Sequence, residues 1–166
     1  MGNSFLDTST HLVLGWNRTV EALKRLELAA AQGHSASMHN IADIRNIGGI
    51  GVPQDDQKAF EWLRKAADAG YEYSIYCAGL RYYNGQGVAK DLVEARTWFQ
   101  KGSDSRIRIW RREFMFMPGF MMMRGEGGLK LLGKGMTLVE TAAEEGYDQA
   151  TQLISSFGTV LFVPSC

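Results

Sequence analysis

The chain has 166 residues, 45% of them hydrophobic and 22% charged, enough apolar content to bury a core and too much for wholesale disorder. Lysine plus arginine count 18 and aspartate plus glutamate 18, which counts against a general binder of nucleic acid or anionic membrane, since either needs a basic excess. There are 19 glycines and 3 prolines, where about 7% and about 5% of residues are usual; so little proline excludes collagen, and the tryptophan, tyrosine and leucine content excludes a flexible linker.

The first residues, Met1 to Asp7, offer no basic region and no long apolar stretch, so no secretory signal is expected. Met1-Gly2 fits the start of a myristoylation signal, but Leu6 stands where that signal needs Ser or Thr. Apolar periodicity, capping residues and glycine stops then predict helices over 19–32, 36–47, 56–69, 73–83, 92–101, 110–123, 129–145 and 148–156. Between the second and third lies Gly49-Ile50-Gly51-Val52-Pro53-Gln54-Asp55, and between the fourth and fifth Gly85-Gln86-Gly87-Val88-Ala89-Lys90-Asp91. These strings open a longer match. Gly49/Gly85, Gly51/Gly87, Val52/Val88, Asp55/Asp91, Ala59/Ala95, Trp62/Trp98 and Lys65/Lys101 are all 36 residues apart. Self-similarity at such a period marks a repeat architecture. Upstream, Ala29-Ala30-Ala31-Gln32-Gly33 echoes Ala66-Ala67-Asp68-Ala69-Gly70 at an offset of 37; downstream, Gly125-Glu126-Gly127 follows Gly85-Gln86-Gly87 at an offset of 40.

Local signals agree with helix pairs. Asp91 with Glu94 reads as a variant capping box. Gly70 stands where a helix stops in the left-handed C′ position. In the third copy the loop aspartate becomes Leu131 and the tryptophan Leu138. Gly102, Gly133 and Gly135 fall at helical positions and mark where the repeat is least regular. The apolar stretch 157–166 fits no repeat; it either packs over the last helix or seeks a partner. The longest apolar run, 114–123, has ten residues and contains Pro118 and Gly119, against the about 20 that a spanning helix needs.

The Gly-Val-x-x-Asp-x-x-x-Ala-x-x-Trp string, seen twice in register, resembles the Sel1-like repeat family, relatives of the tetratricopeptide repeats. The resemblance implies an all-α fold, a right-handed α/α solenoid of antiparallel helix pairs. It implies one domain over 1–166: a remnant at 19–33, repeats at 35–70 and 71–106, a degenerate copy at 107–146, and a C-terminal cap at 147–166. It also implies that the first helix of each pair lines a concave surface. By analogy with tetratricopeptide repeats, the positions facing it are His39, Asp43 and Asn46 in the first copy. They are Tyr73, Tyr76, Tyr83 and Asn84 in the second, and Phe116, Phe120, Met123 and Arg124 in the third. Tyrosine, methionine and arginine are favoured at interfaces. The alternative for Tyr76 and Tyr83 is packing between helices.

The stretch Arg106-Ile107-Arg108-Ile109-Trp110-Arg111-Arg112-Glu113-Phe114-Met115-Phe116-Met117 is the sharpest local anomaly. Trp110 and Arg111 join the candidate contacts from it. A buried helix with solvated arginines is the plain reading; an acidic partner is second, and nucleic acid a distant third. Catalysis finds little support. His11, His34 and His39 show no metal-ligand spacing, and Gly48-Gly49-Ile50-Gly51 lacks the Lys-Ser/Thr of a phosphate loop. Cys77 and Cys166 read as reduced thiols. We expect no cofactor, metal, nucleic acid or membrane partner, and a cytoplasmic module that binds a protein or peptide. An immunity protein neutralising a cognate bacterial toxin is the leading specific role. The rivals are an adaptor or regulator in bacterial signalling or envelope stress and, last, a hydrolase of β-lactamase type.

Overall fold

A computed structural model describes the backbone of residues 5–49, 51–103 and 108–161, and the side chains of 18–49, 51–102 and 111–156. Among the described residues it contains eight helices and no strand longer than the Gly49–Val52 bridge. They are α1 (Phe5–Ala31), α2 (Ser35–Ile47), α3 (Asp56–Asp68), α4 (Glu72–Asn84), α5 (Leu92–Ser103), α6 (Arg108–Arg124), α7 (Leu132–Glu144) and α8 (Asp148–Leu161). The fold is all-α; α2/α3 and α4/α5 carry the two sequence copies set 36 residues apart, and α6/α7 spans the stretch where the degenerate copy was expected, with α1 preceding and α8 following.

The helix boundaries follow from backbone chemistry. At the end of α3, Tyr71 N–H donates to Ala66 O at 2.9 Å and Gly70 N–H to Ala67 O at 3.0 Å, with Gly70 at φ +83°. This is a Schellman stop, which needs a residue that tolerates positive φ. The same pair of bonds closes α7 at Gly146 and Tyr147. Helix starts are set by side chains. Asp55 accepts from Lys58 N–H at 2.9 Å, and Asp91 from Val93 and Glu94 N–H at 2.9 and 3.0 Å. Each satisfies donors that the first helical turn leaves open. Leu131 holds the corresponding place before α7 and offers no side-chain cap. Its backbone is nonetheless in frame. Asp55 N–H donates to Arg45 O, Asp91 N–H to Tyr82 O and Leu131 N–H to Met122 O, at 2.8, 2.9 and 2.9 Å.

Three boundaries differ from the sequence expectation. α1 begins at Phe5, running through Gly15 and Asn17, and α8 runs on to Leu161 through Gly158. The start of the apolar stretch 157–166 is thus helical, and 162–166 lies outside the described residues. α7 starts at Leu132, as the frame of α3 and α5 dictates. Pro118 sits inside α6 and is fully buried. It cannot donate to Phe114 O, a loss worth about 3 kcal/mol in a helix interior, against which it contributes a fully buried apolar ring.

The chain divides into two compact units: Met1–Ser74 with Gly85–Ala89, and Ile75–Asn84 with Lys90–Cys166. In the first, Leu23 and Ala30 of α1, Ile41 of α2 and Val52 form a cluster flanked by Val20, Leu26, Met38, Ile44 and Trp62. Ala59, Phe60, Leu63, Ala66 and Ala67 give α3 one continuous buried stripe. The second unit has two clusters. Ala95, Phe99 and Met121 pack with Tyr76, Leu80 and Tyr83. Phe116, Met123, Val139, Ala142 and Ala150 join α6, α7 and α8. Lys65 lies over the Trp62 ring at 4.3 Å and Lys101 over Trp98 at 4.7 Å, so the paired Trp and Lys of the repeat serve one cation–π contact in each unit.

The helical glycines of the second unit are packing residues. A Cβ on Gly102 would lie 1.8 Å from Phe114 Cε1, and one on Gly135 would lie 2.6 Å from Gly119 O. Only Gly133 of that expected irregular set faces open space.

Candidate functional site

The first-helix positions fall into two groups, one per unit. In the first unit, His39 on α2 is buried. Its Nδ1 shares a 2.8 Å hydrogen bond with Ser74 Oγ, and its Nε2 lies 3.4 Å from Asp43 Oδ2. The neutral Nε2–H tautomer satisfies both contacts, accepting from Ser74 and donating toward Asp43. Tyr71 and Tyr73 flank the imidazole at 5.2 and 4.9 Å. Burial lowers the His39 pKa, and the Asp43 carboxylate partly opposes that shift. Asp43 is exposed, Tyr73 is exposed, and Asn46 is half-buried and accepts from Gln86 Nε2 at 3.3 Å.

A serine, a histidine and an aspartate thus meet, in the order that nucleophilic catalysis uses. Ser74 is fully buried, however, so no substrate carbonyl reaches its Oγ. The group is a buried polar link between α2 and the start of α4. The repeat frame explains its place. Ser37, Ser74, Phe114 and Ala150 each stand four residues beyond a helix-stop glycine or its counterpart, and His39, Tyr76 and Phe116 are likewise equivalent. His39 meets Tyr71, the residue after Gly70, and Phe116 meets Tyr147, the residue after Gly146, at 5.1 Å.

In the second unit, Tyr83 on α4 donates to Glu126 Oε2 at 3.1 Å. Glu126 Oε1 accepts from Arg124 Nε at 2.7 Å. The Arg124 guanidinium lies over Phe120 at 5.3 Å, and Phe120 stacks on Phe116 at 5.9 Å. Lys90 approaches the other side of Tyr83 at 5.6 Å. Burial first, then the Glu126 hydrogen bond and charge, push the Tyr83 hydroxyl pKa up, so it stays a donor. Tyr76 is half-buried between Phe99 and Phe114, at 5.6 and 5.7 Å. Burial raises its pKa strongly, aided by Tyr147 and Glu113.

The placements narrow the expected surface. His39, Phe116 and Met123 are buried because their first-helix register turns them onto neighbouring helices. Asp43, Tyr73, Asn84, Arg111 and Arg124 are exposed, and Asn46, Tyr76, Tyr83 and Phe120 half-buried. The Trp110 side chain lies outside the described residues. The arginine-methionine stretch is a core helix over its described part: Phe114 and Phe116 are buried and Met115 and Met117 half-buried, while Arg111 and Arg112 pair with Glu145 and Glu113 at 3.3 and 3.2 Å. Sequence reasoning missed Glu126, which orders Tyr83 and Arg124, and Tyr147. The second was within reach, because Tyr147 follows Gly146 as Tyr71 follows Gly70.

Similarity to known proteins is concentrated in the middle helix pairs. The Sel1 repeat model matches residues 35–71 and 74–105, the α2/α3 and α4/α5 pairs. These two helix pairs are Sel1 repeats. A Sel1 repeat protein from Oxalobacter formigenes is 28% identical, with a TM-score of 0.73 over 89% of this chain and 43% of that one. A protective antigen of uropathogenic Escherichia coli with an SLR fold, c5321, is also 28% identical, with a TM-score of 0.70 over 78% of this chain and 27% of its own. Cysteine rich protein B of Helicobacter pylori shares the fold at 20% identity and a TM-score of 0.53, over 86% of this chain and 94% of that one. Among curated proteins, chitin synthase regulator SKT5 of Malassezia restricta is 33% identical over 75 residues, 45% of this chain. The Saccharomyces cerevisiae protein of the same name is 26% identical over 109 residues, 64% of this chain. This chain spans only 5% and 14% of these two relatives.

Proposed function

We propose that this Sel1-repeat chain is a non-catalytic interaction module that takes a protein or peptide partner on its first-helix face. The observation that carries this reading is the Tyr83–Glu126–Arg124–Phe120 array of the second unit. It joins α4 to the α6 end by a hydrogen bond, an ion pair and a cation–π contact, while Arg124 keeps 60% of its side chain exposed. Arginine and tyrosine dominate binding hot spots, and side chains already held in place lose less entropy on binding. Asp43 and Tyr73 offer a smaller polar and aromatic surface in the first unit.

Among narrower roles, the regulator reading draws support from the two relatives named as chitin synthase regulators. On that reading the chain holds or tunes an enzyme. The immunity reading differs in its partner, a secreted toxin. A hydrolase would need an accessible nucleophile, and the serine best placed beside a base, Ser74, is buried. Among the described residues, no helix is long and apolar enough to cross a membrane, which is compatible with the cytoplasmic placement we favour. Affinity capture with mass spectrometry, using the chain as bait and an Arg124→Ala chain as control, tests the module. The expected result is a protein retained by the first bait and depleted on the second. Hydrolysis of a panel of esters and β-lactams, lost on one substitution, would overturn it.

A further inference from the structure

The middle residue of the Gly-x-Gly loop makes the same contact in both units. Gln86 stands between Gly85 and Gly87, and Glu126 between Gly125 and Gly127, 40 residues on. All four glycines have positive φ, from 68° to 75°. A Cβ on Gly87 would strike Asp56 O, and one on Gly127 would strike Leu92 O, so each loop is seated against the first turn of a second helix. Backbone fixed in this way on both flanks aims the middle side chain in the same direction in the two loops. It reaches the last turn of a first helix. Gln86 Nε2 donates to Asn46 Oδ1 at 3.3 Å, and Tyr83 Oη donates to Glu126 Oε2 at 3.1 Å. Asn46 and Tyr83 are themselves equivalent, 37 residues apart, as Ser37 and Ser74 are.

The two contacts differ in charge. The Gln86–Asn46 pair joins two neutral amides at an exposed position. Glu126 uses both carboxylate oxygens, Oε2 for Tyr83 and Oε1 for Arg124 Nε at 2.7 Å, and only 18% of its side chain is exposed. Arg124 is thereby held over the Phe120 ring at 5.3 Å. Hydrogen bonds to an ionised group are roughly twice as strong as neutral ones. Glu126 therefore holds two of the candidate contact residues firmly, and Gln86 holds one loosely.

We propose that Gln86 and Glu126 are positioning residues of the first-helix face: each fixes, from a loop, the side chain that ends the preceding copy's first helix, and Glu126 sets partner affinity by holding Arg124 in place. The proposal rests on the function proposed above and deepens it, by assigning part of the specificity to loops rather than to helices. Ordering one long side chain before binding is worth about two- to tenfold in affinity.

The test uses the full chain, first without a partner. NMR of the Arg124 Nε–H group and of the Tyr83 ring, assigned by their absence from Arg124→Ala and Tyr83→Phe chains, reads the positioning. Glu126→Gln keeps an acceptor for Tyr83 and loses the ion pair; Glu126→Ala loses both. Hydrogen exchange at Arg124 Nε should quicken in both chains. The Tyr83 pKa, raised by burial and then by the Glu126 hydrogen bond and charge, should fall in both, and furthest in the alanine chain. Gln86→Ala should move the Asn46 side-chain amide signals and leave Tyr83 unchanged. The protein retained by the native bait is then titrated into native, Glu126→Gln, Arg124→Ala and doubly substituted chains. Glu126→Gln should weaken binding about two- to tenfold, and should cost nothing further once Arg124 is absent. Unchanged Arg124 and Tyr83 signals in the Glu126 chains would overturn the proposal, and so would an equal loss from Glu126→Gln with and without Arg124. Full affinity in Arg124→Ala, or no retained protein, would count against the proposed function instead, and the NMR result then decides the positioning by itself.

Discussion

Gly102 and Gly133 sit on neighbouring second helices and would answer the same substitution in opposite ways. At Gly102 a methyl group would strike the ring of Phe114, which is fully buried and has no room to yield. Gly102→Ala should cost about 1–3 kcal/mol, as overpacking a core does. Gly133 meets nothing within 4 Å, and Gly133→Ala should stabilise the chain by about 0.5–1 kcal/mol through helix propensity and unfolded-state entropy. Paired denaturant titrations check both; equal effects would refute the packing account. The sequence placed both glycines in helices but could not tell them apart, because the atom that matters at Gly102 belongs to Phe114 on the next helix. His39 carries a pH prediction. Its unfolded imidazole takes up a proton near the ordinary imidazole value of about 6.5, and the buried one only at lower pH. The unfolded chain therefore binds more protons in that window, and the His39 contribution is present above it and lost as pH falls. Between neutral pH and pH about 5, the native chain should lose more melting temperature than a His39→Tyr chain, whose tyrosine copies the equivalent Tyr76. Identical pH profiles would remove His39 from the explanation.

Helices differ in how fully their ends are written locally. The stops at Gly70 and Gly146 were legible because a Schellman turn requires a residue that accepts positive φ. The starts of α3 and α5 were legible from Asp55 and Asp91. The start of α1 and the end of α8 were not, since Gly15, Asn17 and Gly158 lie within these helices rather than ending them. α7 lies between these cases: its frame is kept by the Leu131–Met122 backbone bond, and its cap is lost. Leu131→Asp should restore the cap and raise stability by about 1 kcal/mol, seen as a shift in the denaturant midpoint. Asp91→Ala should cost a similar amount by removing one. No gain from the first substitution would show that the α7 start is held by its tertiary contacts alone.

For the molecule as a whole, the repeat period made the fold readable while leaving the candidate surface half-readable. Helix register selects a face, but a first helix in a stacked array touches its neighbours over part of that face. His39, Phe116 and Met123 fall on the covered part; Asp43, Tyr73, Asn84 and Arg124 fall on the open part. The period alone cannot draw that line, because it depends on the size of the residue opposite, such as Ser74 against His39 or Ala150 against Phe116. The array around Arg124 also depends on Glu126, a loop residue that the helix register does not reach. If the first-helix face binds the partner, truncation there must weaken binding and truncation on a second helix must not. The direct measurement is calorimetric titration of the captured partner into the native, Arg124→Ala and Arg64→Ala chains, Arg64 being an exposed residue of α3. The account predicts a loss of about tenfold or more for Arg124→Ala and none for Arg64→Ala; unchanged affinity for Arg124→Ala, or a loss confined to Arg64→Ala, would contradict it.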